Sequence, residues 1–206
     1  IDTGDWGEGK SAWIAGYRDS IHHPHRQFLV DTISRYAPFD TVLEIGSNCG
    51  PNLYLLSKKF PESKFYGVDI NKEAIDFGNL WFKTEHISNV ELVQGFADDL
   101  SRFAEKSIDV VFTDAVLIYI GPDKITSLLN EIFRITRKSV VFMEWHDFYR
   151  RREQDQFDGA HWVRNYQNHL NQYALQKDIK ITKLVDSVWQ DSNWIKYGAI
   201  IEVVLS

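Results

Sequence analysis

Two hydrophobic periods alternate along the middle of the chain. Thr41–Ile45, Lys64–Val68, Val90–Val93, Ile108–Phe112 and Ser139–Met143 are short runs rich in β-branched and aromatic residues, the length and composition of buried strands. Between them apolar residues recur at helical spacing: Leu53, Leu56 and Phe60 within 51–60, a second stretch over 73–82, and Ile125, Leu128, Leu129, Ile132 and Ile135 within 123–136. Upstream, Pro24 opens a helix carrying Phe28, Leu29, Ile33 and Tyr36, which Pro38 ends. Strand and helix in turn at this spacing predict right-handed crossovers and a parallel sheet. The expected fold is α/β, a Rossmann-like, open, mainly parallel sheet with helices on both faces. The last third reads differently: a helix over 162–174, then strands over 179–189 and 197–205 joined by a Trp-bearing turn, an antiparallel C-terminal hairpin at the sheet edge. Residues 1–23, rich in Gly, Trp and charge, read as an N-terminal arm or lid with one helical turn. No repeat or linker interrupts the pattern, which predicts one domain over 1–206.

Composition narrows the function classes. Of 206 residues 44% are hydrophobic and 25% charged, as in a water-soluble globular protein. The net charge of −6 argues against a nucleic-acid partner, which would need a basic face. The run Arg150-Arg151-Arg152 reads as a solvated helix end. No apolar stretch is long enough for a bilayer, and Ile1–Trp6 lacks the basic and apolar regions of a secretory leader, so no membrane partner and a cytoplasmic location are expected. Cys49 is the single cysteine, so no intrachain disulfide can form.

The candidate chemistry lies where the first strand meets the first crossover helix. Glu44-Ile-Gly-Ser-Asn-Cys-Gly50 is a glycine turn, and Pro51 starts the helix that follows. Such a turn at the carboxyl end of a strand is where open α/β sheets bind ligands, with free helix N–H groups nearby. Its Gly-x-Asn-x-Gly spacing is not the Gly-x-Gly-x-x-Gly dinucleotide fingerprint. Glu44, inside the strand, would suit an ammonium group and be misplaced beside a pyrophosphate. Asp69, in Gly67-Val-Asp69-Ile70-Asn71, ends the second strand, where a carboxylate can accept bonds from ribose hydroxyls.

Val42-Leu-Glu-Ile-Gly-Ser-Asn-Cys-Gly50 followed by Gly-Val-Asp69 resembles the first two motifs of class I S-adenosylmethionine-dependent methyltransferases, and the order of elements from about Arg26 to Leu205 resembles their fold. That family's sheet has seven strands, the last inserted antiparallel beside the fifth. The resemblance implies S-adenosyl-L-methionine as cofactor, held by Glu44, Gly46, Ser47, Asn48, Gly50, Asp69 and Ile70. Asn48 stands where the family has its middle glycine, a substitution the left-handed tolerance of Asn permits. The family's third motif matches Gly95-Phe-Ala-Asp98, so Phe96, Ala97 and Asp98 would address the adenine. In the same way Asp114 and Ala115, after the fourth strand, would contact the cofactor, and Tyr119 would stand near the transferring methyl or be a core tyrosine.

The resemblance leaves the acceptor open. An oxygen or nitrogen atom of a small molecule, such as a sugar or natural-product intermediate, is expected. His146, at the end of the fifth strand with Glu144 and Asp147 beside it, is the candidate general base. Tyr17, with Trp13 and Arg18 in the arm, is a candidate cofactor contact, and Trp162, Tyr166, Trp189, Trp194 and Tyr197 form either core or an acceptor wall. His22-His23-Pro24-His25 lacks a neighbouring Cys or Asp to complete a metal site, so no metal is expected. Two alternatives stand beside the methyltransferase reading: a catalytically silent S-adenosylmethionine-binding protein, and a nicotinamide-dependent oxidoreductase.

Overall fold

The computed structural model describes residues 10–149, 155–175 and 178–205. The expected loose segment Ile1–Gly9 and the Arg150–Arg152 run lie outside them. Helix α1 (Lys10–Asp19) and a 3-10 turn (Ser20–His22) lead into α2 (Pro24–Ser34). Then come β1 (Thr41–Ile45), α3 (Pro51–Lys59), β2 (Lys64–Asp69), α4 (Lys72–Thr84), β3 (Val90–Gln94) and β4 (Ile108–Asp114). A 3-10 turn (Leu117–Tyr119), α5 (Pro122–Ile135) and β5 (Thr136–Trp145) follow. The last third holds β6 (Gln156–Phe157), β7 (Trp162–Val163), α6 (Tyr166–Leu170), β8 (Ile179–Lys183), α7 (Ser192–Tyr197) and β9 (Gly198–Val204).

Seven strands form one sheet in the order β3-β2-β1-β4-β5-β9-β8. β1 to β5 are parallel, and β9 enters antiparallel between β5 and β8. This is the doubly wound arrangement expected, with the antiparallel pair at the edge. Successive strand residues feed opposite faces. Leu43, Ile45 and Val111 pack under α5 and α6 through Leu128, Leu129, Ile132 and Tyr166. Val42, Val110 and Phe112 pack under α2, α3 and α4 through Leu29, Leu53 and Ile75. The parallel strands are covered on both sides, which is why β4 is buried at every position.

Three expectations need correction. The arm is more helical than predicted: α1 is ten residues long, and Ile14 buries itself against Cys49 and Ala74. The helix expected over 162–174 begins only at Tyr166, where the Asn165 side chain accepts the N–H of Gln167; Trp162–Val163 pairs with β6 instead. The strand expected to run to Trp189 stops at Lys183, and the turn before the last strand is helix α7, capped by Asp191 accepting the N–H groups of Asn193 and Trp194. The chain between Leu184 and Trp194 carries Leu184, Val188 and Trp194 down onto the α2 side of the sheet. Among the described residues no helix is long and apolar enough to cross a membrane.

Candidate active site

A cavity of about 710 Å3 opens at the carboxyl ends of β1, β2 and β4, within the size range of small-molecule sites. Its floor is the loop after β1. Gly46 has φ +75°, and a Cβ there would lie 2.2 Å from Val116 Cγ2, so only glycine fits. Asn48 also adopts a left-handed backbone, φ 51°, and its side-chain oxygen accepts the N–H of Cys49 at 2.8 Å. The residue standing at the family's glycine position therefore keeps the turn by folding its amide onto its own loop. Its backbone N–H donates to Asp69 Oδ2 at 2.7 Å, and that of Asn71 to Asp69 Oδ1 at 2.8 Å. Asp69 thus ties the loop to the end of β2 while facing the cavity. Burial raises its pKa, against the pull of the two N–H groups.

Of the residues singled out from the sequence, Tyr17, Gly46, Asn48, Asp69, Ile70, Phe96, Ala97, Asp114, Ala115 and Tyr119 line this cavity. Glu44, Ser47, Gly50, Asp98 and His146 do not. Asp98 pairs with Lys124 at 3.2 Å. Glu44 is turned inward: one carboxyl oxygen accepts from Asn52 Nδ2 at 2.7 Å, and the other, Oε2, has no partner. Burial pushes its pKa well above the usual carboxylate range, opposed by the Asn52 bond, so the sequence expectation of an ionised group meeting the ligand directly does not match its setting.

Asp114 holds that place instead. Its Oδ2 receives Asn52 Nδ2 at 3.0 Å and Arg26 Nη1 at 3.3 Å, with His25 Nε2 3.4 Å away. Burial would raise this carboxyl, but His25, Arg26 and Asn52 outweigh it and hold the pKa down at about 2. Arg26 is almost wholly buried, with Tyr17 lying 4.7 Å from its guanidinium carbon. Burial raises the Tyr17 hydroxyl pKa, partly offset by Arg26.

His146 sits behind the wall. Its Nδ1 accepts the Tyr166 N–H at 3.2 Å, its ring packs on Phe148, and burial drops its pKa to about 4. Its companion Glu144 also points inward, accepting from Thr113 Oγ1 at 2.7 Å and from the N–H groups of Val116 and Ile118. That carboxyl caps the turn presenting Tyr119, and burial raises its pKa to about 7 against those bonds. His146 is not among the residues that line the cavity.

The rest of the cavity was assigned from sequence only in part. Its far half is walled by Trp145, His161, Trp189 and Trp194, with His23 and His25 alongside. Trp189 and Trp194 stack with centroids 3.9 Å apart and planes 1° apart, and His25 stacks on Trp189 at 4.1 Å. Of the aromatic residues left between core and acceptor wall, Trp189 and Trp194 line the space, while Trp162, Tyr166 and Tyr197 do not; Trp145 had not been singled out. Helical and strand periodicity marks an aromatic side chain as inward-facing and does not distinguish a core from a chamber. Among the described residues no cluster of three or more His, Cys, Asp or Glu side chains has the arrangement of a metal site.

Residues 42–139 match the family model described as Methyltransferase domain. This segment matches a methyltransferase domain. The chain is 29% identical over 109 residues to the tRNA N(3)-cytidine methyltransferase METTL6 of Homo sapiens, covering 51% of this chain and 38% of that protein. It is 29% identical over 103 residues to the fatty-acid O-methyltransferase of Mycolicibacterium smegmatis, covering 50% and 35%. The matched part thus spans well under half of these curated relatives. Among solved structures, the geranyl diphosphate C-methyltransferase of Streptomyces coelicolor, bound to Mg2+, geranyl diphosphate and S-adenosyl-L-homocysteine, superposes with a TM-score of 0.68 at 14% identity, over 86% of this chain and 80% of that one. A S-adenosylmethionine-dependent methyltransferase from Aquifex aeolicus gives 0.57 at 15% identity, over 85% and 88%. These likenesses are of fold.

The cavity of this methyltransferase domain fits the family's cofactor, S-adenosyl-L-methionine. Asp69 suits a ribose diol, and Phe96 and Ile70, 55% and 40% exposed, offer apolar surface to a purine. Asp114, a carboxylate on the cavity wall, suits an ammonium group, and Arg26 suits a carboxylate.

Proposed function

We propose that the protein transfers the methyl group of S-adenosylmethionine to a small-molecule acceptor held in the aromatic half of the cavity. The observation that carries this reading is the continuity of the space: Gly46, Asn48 and Asp69 at one end and Trp145, Trp189 and Trp194 at the other line one chamber. The bound cofactor supplies an electrophilic methyl on a sulfonium. The protein's part is to align the acceptor and exclude water. Tyr17 and Trp13 from α1, with Trp189 and Trp194 from the segment after β8, stand around that chamber and restrict its access. A chamber walled by Trp13, Trp145, Trp189 and Trp194 favours a small acceptor over a polymer, and the net charge of −6 disfavours a nucleic acid.

Calorimetry with S-adenosylmethionine and S-adenosylhomocysteine tests the cofactor half. Both bind the wild type; Asp69→Ala loses most of the affinity, and Asp69→Asn, which keeps an acceptor for one of the two N–H groups of Asn48 and Asn71, loses less. Failure of both ligands to bind the wild type, or tight NAD binding in their place, refutes the reading. Binding without methyl transfer across alcohol, phenol and amine acceptors would instead support a silent binding protein.

A further inference from the structure

Nothing in the hydrophobic pattern marks Asn52, and no local need explains it. It is the second residue of α3, and asparagine is among the poorer helix formers. Among the described residues its amide makes no bond within its own helix. Its side-chain bonds lead instead to β1, β4 and α2. Nδ2 donates to Glu44 Oε1 at 2.7 Å and to Asp114 Oδ2 at 3.0 Å, and Oδ1 accepts from Arg26 Nη1 at 3.1 Å. These partners stand 8, 62 and 26 positions away, and all four side chains are buried. The nearest, Glu44, is reached because Gly46, Asn48 and Gly50 all adopt positive φ, and the reversal they make brings the start of α3 back to the end of β1.

The network admits one orientation of this amide. Turned over, Oδ1 would face two carboxyl oxygens and Nδ2 a guanidinium, so three bonds would become three repulsive contacts. Aspartate here would set a third carboxyl against the other two, and leucine would leave each neighbour one bond short. Arg26 is oriented by the same contacts, with Nη1 shared between Asn52 and Asp114 and Nε donating to Ser20 Oγ at 2.9 Å. The amide also divides the two carboxyls. Asp114 has Arg26 Nη1 at 3.3 Å and His25 Nε2 at 3.4 Å beside it, and it lines the cavity. Glu44 has Asn52 as its hydrogen-bond donor among the described residues and does not line the cavity. Burial raises both pKa values. At Asp114 the contacts of His25, Arg26 and Asn52 outweigh it, whereas at Glu44 the Asn52 bond does not. The negative charge of the pair therefore settles on the carboxyl that faces the cavity.

We propose that Asn52 is a positioning residue for the cofactor: it holds Glu44 inward and sets Asp114 beside Arg26, so that a carboxylate and a guanidinium meet the amino-acid end of S-adenosylmethionine as a matched pair. This rests on the methyl-transfer reading above and extends it to how a nucleoside that carries the amino-acid end is told from one that lacks it. Asp114 takes the ammonium group and Arg26 the carboxylate. Asn52 does not line the cavity and acts through these two. Methyl transfer leaves the amino-acid end unchanged, so S-adenosylhomocysteine reports the same contacts as the substrate form.

Calorimetry with S-adenosylhomocysteine and 5′-methylthioadenosine separates this role from packing, because the second ligand keeps the nucleoside and lacks the amino-acid end. Asn52→Leu and Asn52→Ala should each weaken S-adenosylhomocysteine binding by at least about 10-fold and leave methylthioadenosine within about twofold. Equal losses for the two ligands in both variants make Asn52 a packing residue, and full retention of both ligands removes it from cofactor recognition; either result overturns the proposal. Carboxyl 13C NMR on the ligand-free protein reads the bridge without any cofactor. Glu44 and Asp114 each lose a bond that lowers the pKa, so both should titrate at higher pH in Asn52→Leu than in the wild type. Unmoved titrations overturn the bridge. Failure of the wild type to bind S-adenosylhomocysteine refutes the methyl-transfer reading instead, and the carboxyl titrations then judge the bridge on their own.

Discussion

Replacing Asp114 by Asn leaves a guanidinium buried against a neutral amide. Arg26 is 1% exposed and Asp114 4%, so solvent screens their pairing weakly. A carboxyl held at about 2 rather than 3.8 corresponds to roughly 2 to 3 kcal/mol of native-state stabilisation. Removing one partner of a buried pair typically costs about 3 to 5 kcal/mol, the excess being the charge left uncompensated. Glu44 moderates that excess. Burial is the first cause that raises the Glu44 pKa and Asp114 adds to it, so loss of Asp114 removes one repulsion beside Arg26. The expected cost of Asp114→Asn is therefore about 3 kcal/mol at pH 7.

Urea unfolding at a series of pH values provides the assay. The folded-state pKa is depressed, so the stabilisation is fully present above pH 3.8 and is lost as pH falls toward about 2. Wild type and variant should differ by about 3 kcal/mol at neutrality and converge below pH 3.8, with equal dependence on urea concentration. A neutral-pH difference below about 1 kcal/mol, or one that does not shrink on the acid side, would refute the buried Arg26–Asp114 pairing as a stabilising element.

Gly46→Ala combines a left-handed backbone with the 2.2 Å approach of Val116, and denaturant unfolding should show a loss of about 2 to 5 kcal/mol together with loss of cofactor binding. Arg164→Lys leaves unpaired at least one of Asp155, the Leu117 carbonyl and the Ile120 carbonyl, which the buried fork now joins; a midpoint shift equivalent to roughly 3 kcal/mol is expected in thermal melts. Cys49, fully buried and with its thiol pushed by burial to about 12, should resist iodoacetamide in the native protein at pH 8 and react at once in urea; native labelling at the unfolded rate would contradict its packing under α1.

The sheet was legible because its information is local. Each parallel strand is a continuous apolar run, and the glycine turn and Asp69 follow it at fixed offsets, so the cofactor end of the cavity could be read from residues near one another in sequence. The strand from Ile179 was overextended because Leu184, Val188 and Trp189 continue an apolar pattern after the pairing with β9 has ended at Lys183. Its length was set by what β9 offers, which no window of sequence contains. His146 misled for a related reason. A His at the carboxyl end of a central strand faces a site or the layer behind it according to the strand's register, and the Tyr166 N–H draws it backward. His23 and His25 had been set aside for want of a carboxylate nearby, and the carboxylate arrives only when β4 is placed beside β1.

One part of the site is built wholly from such distant contacts. The turn after β4 carries Val116, Ile118, Tyr119 and Ile120 to the cavity, and it lies between two ionisable groups that do not line the chamber. Glu144 from β5 accepts the N–H groups of Val116 and Ile118, while Arg164, beyond β7, donates to the carbonyls of Leu117 and Ile120. A carboxyl group on the donors and a guanidinium on the acceptors fix the turn from both ends. Arg164 is itself held by Asp155, which His169 contacts at 2.7 Å, so the C-terminal third reaches the acceptor wall through a buried ion pair as well as through its tryptophans. Variation there alters the shape of the acceptor chamber while the loop at Gly46–Gly50, anchored to β2 by Asp69, keeps its geometry. In the proposed function, acceptor choice and cofactor binding fall to different parts of one chain.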